Sequence, residues 1–152
     1  MDPSFDIDIS QTALLSPMAT TAVFYQSSIG GNTRTVAEYI AKELSADVFD
    51  LKNQSDFELG GFDRIIIGTG VHAGNPYKKV TNFVNVYKEE LAEKKVYLFI
   101  SCMYKNDKGA NQASRIADEY RIPDVTFFPT GGAKDESGVL VEVKAFVERM
   151  KK

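Results

Sequence analysis

The chain has no tryptophan, one cysteine and one histidine in 152 residues. A lone cysteine, Cys102, excludes an internal disulfide and a cysteine-rich zinc site. A lone histidine, His72, excludes a metal centre built on several imidazoles. No apolar run approaches the roughly 18 residues of a membrane span. The first residues lack the basic start and small-residue cleavage site of a secretory signal, so the chain is read as cytoplasmic. Basic charge is not in excess: 18 Lys and Arg stand against 21 Asp and Glu, a formal charge of -3. That balance argues against nucleic acid as a partner. It leaves room for a phosphate ligand, which backbone N–H groups hold without Lys or Arg.

What is present is an ordinary globular composition, 43% hydrophobic and 26% charged, at single-domain length. Residues 20–152 are read as that domain. Residues 1–19 differ from the rest. "FDIDI" (Phe5–Ile9) alternates apolar and acidic residues as a short edge strand does, and "TALLSPM" ends its small apolar content at Pro17. This arm is expected to be peripheral: an N-terminal extension, or residues added upstream of a natural start at Met18.

Four apolar runs have the length of fully buried strands: Ala22–Tyr25, Arg64–Gly68, Val96–Ile100 and Val125–Phe128. "ADVFDL", Ala46–Leu51, alternates more and suits a strand nearer an edge. Between them run helical patterns. Val36, Ile40 and Leu44 recur at four-residue steps. Val80, Phe83, Val84, Tyr87 and Leu91 mark one helical face. So do Ala113, Ile116, Ala117 and Tyr120, and then Val139, Val143, Phe146, Val147 and Met150. The stretch after Leu51, "KNQSDFELGGFD", shows Gly60-Gly61 and at most a single helical turn. Continuous apolar strands alternating with amphipathic helices predict an α/β fold. Its sheet is parallel and five-stranded, of order 2-1-3-4-5, with helices on both faces in a three-layer sandwich.

In such a sheet ligands bind beyond the carboxyl ends of the strands, where the strand order reverses. The loops after the first, third and fourth strands should meet there. The first, "QSSIGGNT" (Gln26–Thr33), is poor in side chain. Gly30 and Gly31 let a ligand approach the backbone, Ser27, Ser28, Asn32 and Thr33 offer hydrogen bonds, and a helix follows. No Lys follows the glycines and GxGxxG is absent, which points to a single phosphate held by neutral donors. The plainer reading is a glycine turn with an N-cap at Asn32 or Thr33. The second, "GTGVHAGNPYKK" (Gly68–Lys79), carries His72, which either contacts a planar ligand or faces solvent. The third, "SCMYKNDKGAN" (Ser101–Asn111), carries Met103 and Tyr104, able to pack on a flat ring or to cover the sheet end. Cys102 there is either a reactive thiol or a small buried hydrophobe.

"VFYQSSIGGNTRTVAEYIA" resembles the phosphate loop of the flavodoxins and flavodoxin-like FMN proteins. There, an apolar strand ends in an aromatic, and the Ser/Thr- and Gly-containing loop closes on a Thr, followed by Ala and an aliphatic residue. Thr33, Ala37 and Ile40 fit. "FDRIIIGTGVHAGNPYKKVTNFV" and "YLFISCMYKNDKGANQ" are similar to the family's two flavin loops, and "TGGA" (Thr130–Ala133) to the end of its fifth strand. The likeness runs from about Thr20 to Met150 and extends to the protoporphyrinogen and quinone oxidoreductase branch. It departs in two places. The first loop is one residue longer than usual, around Ile29 to Gly31, and there is no Trp to cover the ring.

The resemblance implies FMN as cofactor. Its phosphate would lie on the N–H groups of Ser28, Ile29, Gly30, Gly31, Asn32 and Thr33 and on the hydroxyls of Ser27, Ser28 and Thr33. Its ring would lie between Thr69, Gly70, Val71, His72, Ala73 and Gly74 on one side and Ser101, Cys102, Met103 and Tyr104 on the other, with stacking left to Tyr104, His72 or Met103. Backbone groups near Gly70 and Met103 would meet its polar edge. No catalytic residue and no metal site is assigned. The implied function is electron transfer between redox partner proteins, a reductase and an acceptor. The alternative is an FMN-dependent oxidoreductase acting on a quinone or protoporphyrinogen. A phospho-receiver shares the strand order but needs acids after the first strand, where "FYQSS" has none.

Overall fold

The computed structural model describes residues 20–27, 32–72, 74–102, 107–129 and 140–151, with Cys102 described in its backbone alone. The expectations for residues 1–19 therefore lie outside the described residues. Along the chain run β1 (Thr21–Gln26), α1 (Asn32–Leu44), β2 (Asp47–Asp50), β3 (Arg64–Thr69), β4 (Val71–His72), β5 (Asn75–Pro76), α2 (Lys78–Val86) and α3 (Lys88–Ala92). Then follow β6 (Lys95–Cys102), α4 (Asp107–Tyr120), β7 (Val125–Pro129) and α5 (Val141–Lys151). Five strands form one parallel sheet in the order β2-β1-β3-β6-β7, the order expected from the pattern. β4 and β5 form a separate antiparallel pair.

Strand pleating sends alternate side chains to opposite faces. Ala22, Phe24, Ile65, Ile67, Leu98 and Ile100 pack with Val80, Phe83, Val84 and Ile116 of α2 and α4. Val23, Tyr25, Ile66 and Phe99 pack on the other face with Val36 and Ile40 of α1 and Phe146 and Val147 of α5. β1, β3 and β6 are thus covered on both sides, which is why they read as unbroken apolar runs. Each fully buried Ile among them contributes about 1.5–3 kcal/mol of transfer free energy. β7 corrects the expectation of full burial: Val125, Thr126 and Phe127 are only partly buried, because β7 is an edge strand with one neighbour.

α1 ends with Ser45 in the left-handed region (φ 53°), and Ala46 N–H donates to Ala41 O at 2.8 Å. α4 ends the same way, with Arg121 at φ 60° and Ile122 N–H on Ala117 O at 3.0 Å. Both satisfy carbonyls that a helix end leaves open. The apolar face from Val80 to Leu91 was expected as one helix. It is broken at Tyr87 (φ -105°, ψ 17°) into α2 and α3.

Between β2 and β3 a hydrogen-bonded turn stands at residues 51–53, where Asn53 N–H donates to Asp50 O at 3.0 Å, but there is no helix. Rings replace it. Phe24 stacks on Phe49 at 5.0 Å and on Phe83 at 4.6 Å, and meets Phe57 edge-on at 4.9 Å. Phe62 meets Phe49 at 6.3 Å. The Tyr87 hydroxyl accepts the Phe57 N–H at 2.9 Å, so the helix break also fastens the connection.

Gly68 marks the tightest contact in the sheet. A Cβ there would lie 2.1 Å from the Phe99 ring, which occupies the space over β3. Gly68→Ala is expected to cost at least about 1–3 kcal/mol through overpacking. In urea unfolding, Gly68→Ala/Phe99→Leu should lose less than the sum of its single variants. Additive losses would show that the ring is not what excludes the methyl.

Tyr120 shares a 2.6 Å hydrogen bond with Thr81 between α4 and α2. Burial pushes its phenol from 10.0 up to about 12; the Thr81 bond opposes the shift and Glu119 adds to it. A phenol whose folded pKa is raised lends stability that is whole below the unfolded value and lost as pH climbs through the folded one. Stability should therefore fall between about pH 10 and pH 12, by up to about 1.4 kcal/mol per pH unit. Tyr120→Phe should flatten this part of the profile in denaturant titrations at high pH.

Candidate functional site

The parallel register sets the site. Gln26 of β1 lies beside Thr69 of β3, and Thr69 beside Ile100 of β6. One step on, Ser27, Gly70 and Ser101 line the carboxyl edge of three adjacent strands, with neighbouring strands about 4.8 Å apart. β1 is also where the order reverses, since β2 lies on one side of it and β3 on the other. Of the three residue groups expected from the sequence, Ser27, Thr69, Gly70 and Ser101 are brought together here. From the same groups, Ser28, Ile29, Gly30, Gly31, Ala73, Met103 and Tyr104 lie outside the described residues, as does the Cys102 side chain.

Ser27 is 7% exposed, and its Oγ has no hydrogen-bond partner among the described residues. A buried hydroxyl left in this state costs about 1–3 kcal/mol. Close after it in the chain, α1 begins at Asn32, with Thr33 buried in its first turn. The first N–H groups of a helix lack intrahelical acceptors and favour an anion. An orphaned hydroxyl, a buried threonine and a helix start together form a neutral donor set suited to a phosphate.

The second loop is built more tightly than the sequence suggested. Val71–His72 pairs with Asn75–Pro76 as a short hairpin, and Gly74 takes φ +83° in its turn. Thr69 is fully buried; its hydroxyl donates to Gly70 O at 2.8 Å and accepts Tyr77 N–H at 3.1 Å. Its proton is thus committed within the loop. The Tyr77 ring lies over Gly70, where a Cβ would sit 2.8 Å from the phenol oxygen. Val71 is partly buried against the core and His72 is exposed.

Gln26, Tyr77, Arg115 and Gln112 were not singled out from the sequence. The Gln26 side chain accepts Lys79 N–H at 3.2 Å and so caps α2, which has no side-chain cap of its own at Tyr77. Arg115 Nη2 on α4 donates to Gly74 O and holds the hairpin. Gln112, also on α4, has its Oε1 buried without a partner among the described residues. The one readable signal was Gln26, a polar residue ending an apolar strand. Tyr25, just before it, has its phenol pushed up by burial and by the Asp50 carboxylate, against the opposing Arg34. Among the described residues no cluster of three or more His, Cys, Asp or Glu could hold a metal ion, and no helix is long and apolar enough to cross a membrane.

Residues 22–148 match the family model of the flavodoxin domain. A stretch of 77 residues is 30% identical to the uncharacterized protein MJ0298 of Methanocaldococcus jannaschii, covering 51% of this chain and 50% of that protein. The match therefore spans about half the length of that relative. Among solved structures, oxidised Flavodoxin 2 from Bacillus cereus superimposes with a TM-score of 0.63 at 20% identity, covering 86% of this chain and 97% of that one. The rubredoxin oxygen:oxidoreductase of Desulfovibrio gigas gives 0.61 at 13% identity, covering 86% of this chain but 35% of that one. At these identities the superpositions show a shared fold.

Thr69→Val leaves the Tyr77 N–H without its acceptor and should cost about 1–3 kcal/mol in urea unfolding. Thr69→Ser, which keeps the oxygen, should recover most of it. A loss in Thr69→Ser with none in Thr69→Val would mean that the methyl, not the hydroxyl, holds the hairpin.

Proposed function

The chain belongs to the flavodoxin domain family, and from that premise we propose that it binds FMN and carries electrons between a reductase and an acceptor protein. The observation that supports this most directly is the orphaned Ser27 hydroxyl, buried at the carboxyl edge of β1 ahead of the start of α1. A phosphate is the ligand whose oxygens would satisfy it together with Thr33 and the first N–H groups of α1. In this reading Ser28, Ile29, Gly30, Gly31 and Asn32 complete the phosphate loop. The ring is held between residues 69–74 and 101–104. Bound FMN supplies one- and two-electron redox chemistry that no side chain here provides. The protein's share is placement. Thr69 and Arg115 fix the hairpin, and Gln26 locks the first loop's base to α2.

The connection from β7 to α5 spans only residues 130–140, which leaves little chain for a substrate-binding insertion and favours the carrier reading. One observation keeps a second reading, an FMN-dependent oxidoreductase acting on a quinone or protoporphyrinogen: His72 is exposed on the hairpin, where an external substrate would reach it.

Titration with FMN, followed by the flavin spectrum, should saturate near one FMN per chain. Ser27→Ala and Thr33→Val should each weaken FMN by the loss of a charge-assisted hydrogen bond, about 1.5–3 kcal/mol, and leave riboflavin, which lacks the phosphate, unchanged. Equal weakening of both ligands would move the phosphate elsewhere. Rapid quinone turnover by the protein alone would favour the oxidoreductase.

A further inference from the structure

Replacing a helix by rings between β2 and β3 leaves a cavity of about 390 Å³ on the α2 face, open to solvent and lined by none of the residues of the proposed FMN site. That volume is within the range of small-molecule sites. Phe24 forms its floor, and Phe49, Phe57 and Phe62 line it. Phe57 meets Phe49 edge-on at 5.5 Å with the planes at 66°, and Phe62 meets Phe49 at 70°, so the lining rings lie in different planes. Asp56 and Glu58 stand on the same lining and are exposed, and no Lys or Arg lines it. Neither carboxylate has an ion-pair partner among the described residues.

The wall carrying the two acids is held in place. Gln54 Nε2 donates to Asp56 O at 2.9 Å, and Phe57 N–H donates to the Tyr87 hydroxyl at 2.9 Å. The site is therefore formed before any ligand arrives, which lowers the ordering cost of binding.

The electrostatics select the ligand. Two carboxylates and the electron-rich faces of phenyl rings both attract positive charge, and the cavity holds no cation of its own. An anion is repelled. A small hydrated metal ion gains little from rings. An ammonium wrapped in methyl groups meets both demands: apolar contact with the rings and a diffuse charge beside the acids. The geometry points to a binding site for a small alkylated ammonium compound at Phe49, Phe57, Phe62, Asp56 and Glu58. The site does not depend on FMN.

The test is calorimetric titration of the full chain with choline chloride, at constant ionic strength, against its uncharged isostere 3,3-dimethylbutan-1-ol. Choline should bind saturably at millimolar concentration or below, at least tenfold tighter than the isostere. Asp56→Asn/Glu58→Gln changes two exposed side chains and should weaken choline at least fivefold while leaving the isostere unchanged. Choline should shift the amide resonances of residues 49, 56–58 and 62. Equal affinity for the two compounds, no saturable binding, an unaffected double variant, or shifts confined elsewhere would each overturn the assignment.

Discussion

The parallel pairing of β1, β3 and β6 is the constraint on which everything else rests. Because the three strands run in the same direction and in step, their carboxyl ends finish in one row. Ser27, Gly70 and Ser101, far apart in sequence, become neighbours on one edge. The pairing is possible only where side chains permit it. Gly68 gives up its Cβ to the Phe99 ring, and Gly70 lies beneath Tyr77. At β1 the strand order reverses, and the helices that follow β1 and β3 lie on opposite faces of the sheet.

The two faces of the sheet solve the same problem differently. Toward α1 and α5, helices cover the strands in the usual way, with residues at helical spacing meeting alternate strand residues. Toward α2, the connection after β2 supplies no helix, and an aromatic cluster takes its place. Rings bury much area per residue and need few backbone hydrogen bonds, which suits a connection that forms no regular structure. They pack less continuously than a helix, and the remaining gap is the cavity lined by Phe49, Phe57 and Phe62.

The sheet order and the two-sided core were legible because burial on both faces leaves a signal that local sequence carries: runs such as "RIIIG" have no polar face to hide. Edge position is not local, so Val125–Phe128 looked as buried as the central strands although β7 has a single neighbour. The break at Tyr87 was hidden for the opposite reason. The apolar spacing from Val80 to Leu91 continues across it, and the residue where the backbone turns is marked only by a hydroxyl that engages the distant β2–β3 connection. The loops of the site were recognisable by composition. The residues that hold them were not. Gln26 capping α2 and Arg115 gripping Gly74 act across 53 and 41 residues of sequence, a distance over which no spacing rule operates.

Tyr87 also sets how this part of the molecule opens. Its hydroxyl is the acceptor for a backbone N–H that sheet and helix leave unprovided, and its ring packs on Phe83 and Phe57. Residues 54–58 have no secondary structure, and α3 is a single short turn; neither would persist alone. One side chain joins them. The Phe57 amide proton, bonded to that hydroxyl, should exchange with solvent only as often as the α2–α3 pair loosens, so one residue of a segment without secondary structure takes on the protection of a helix.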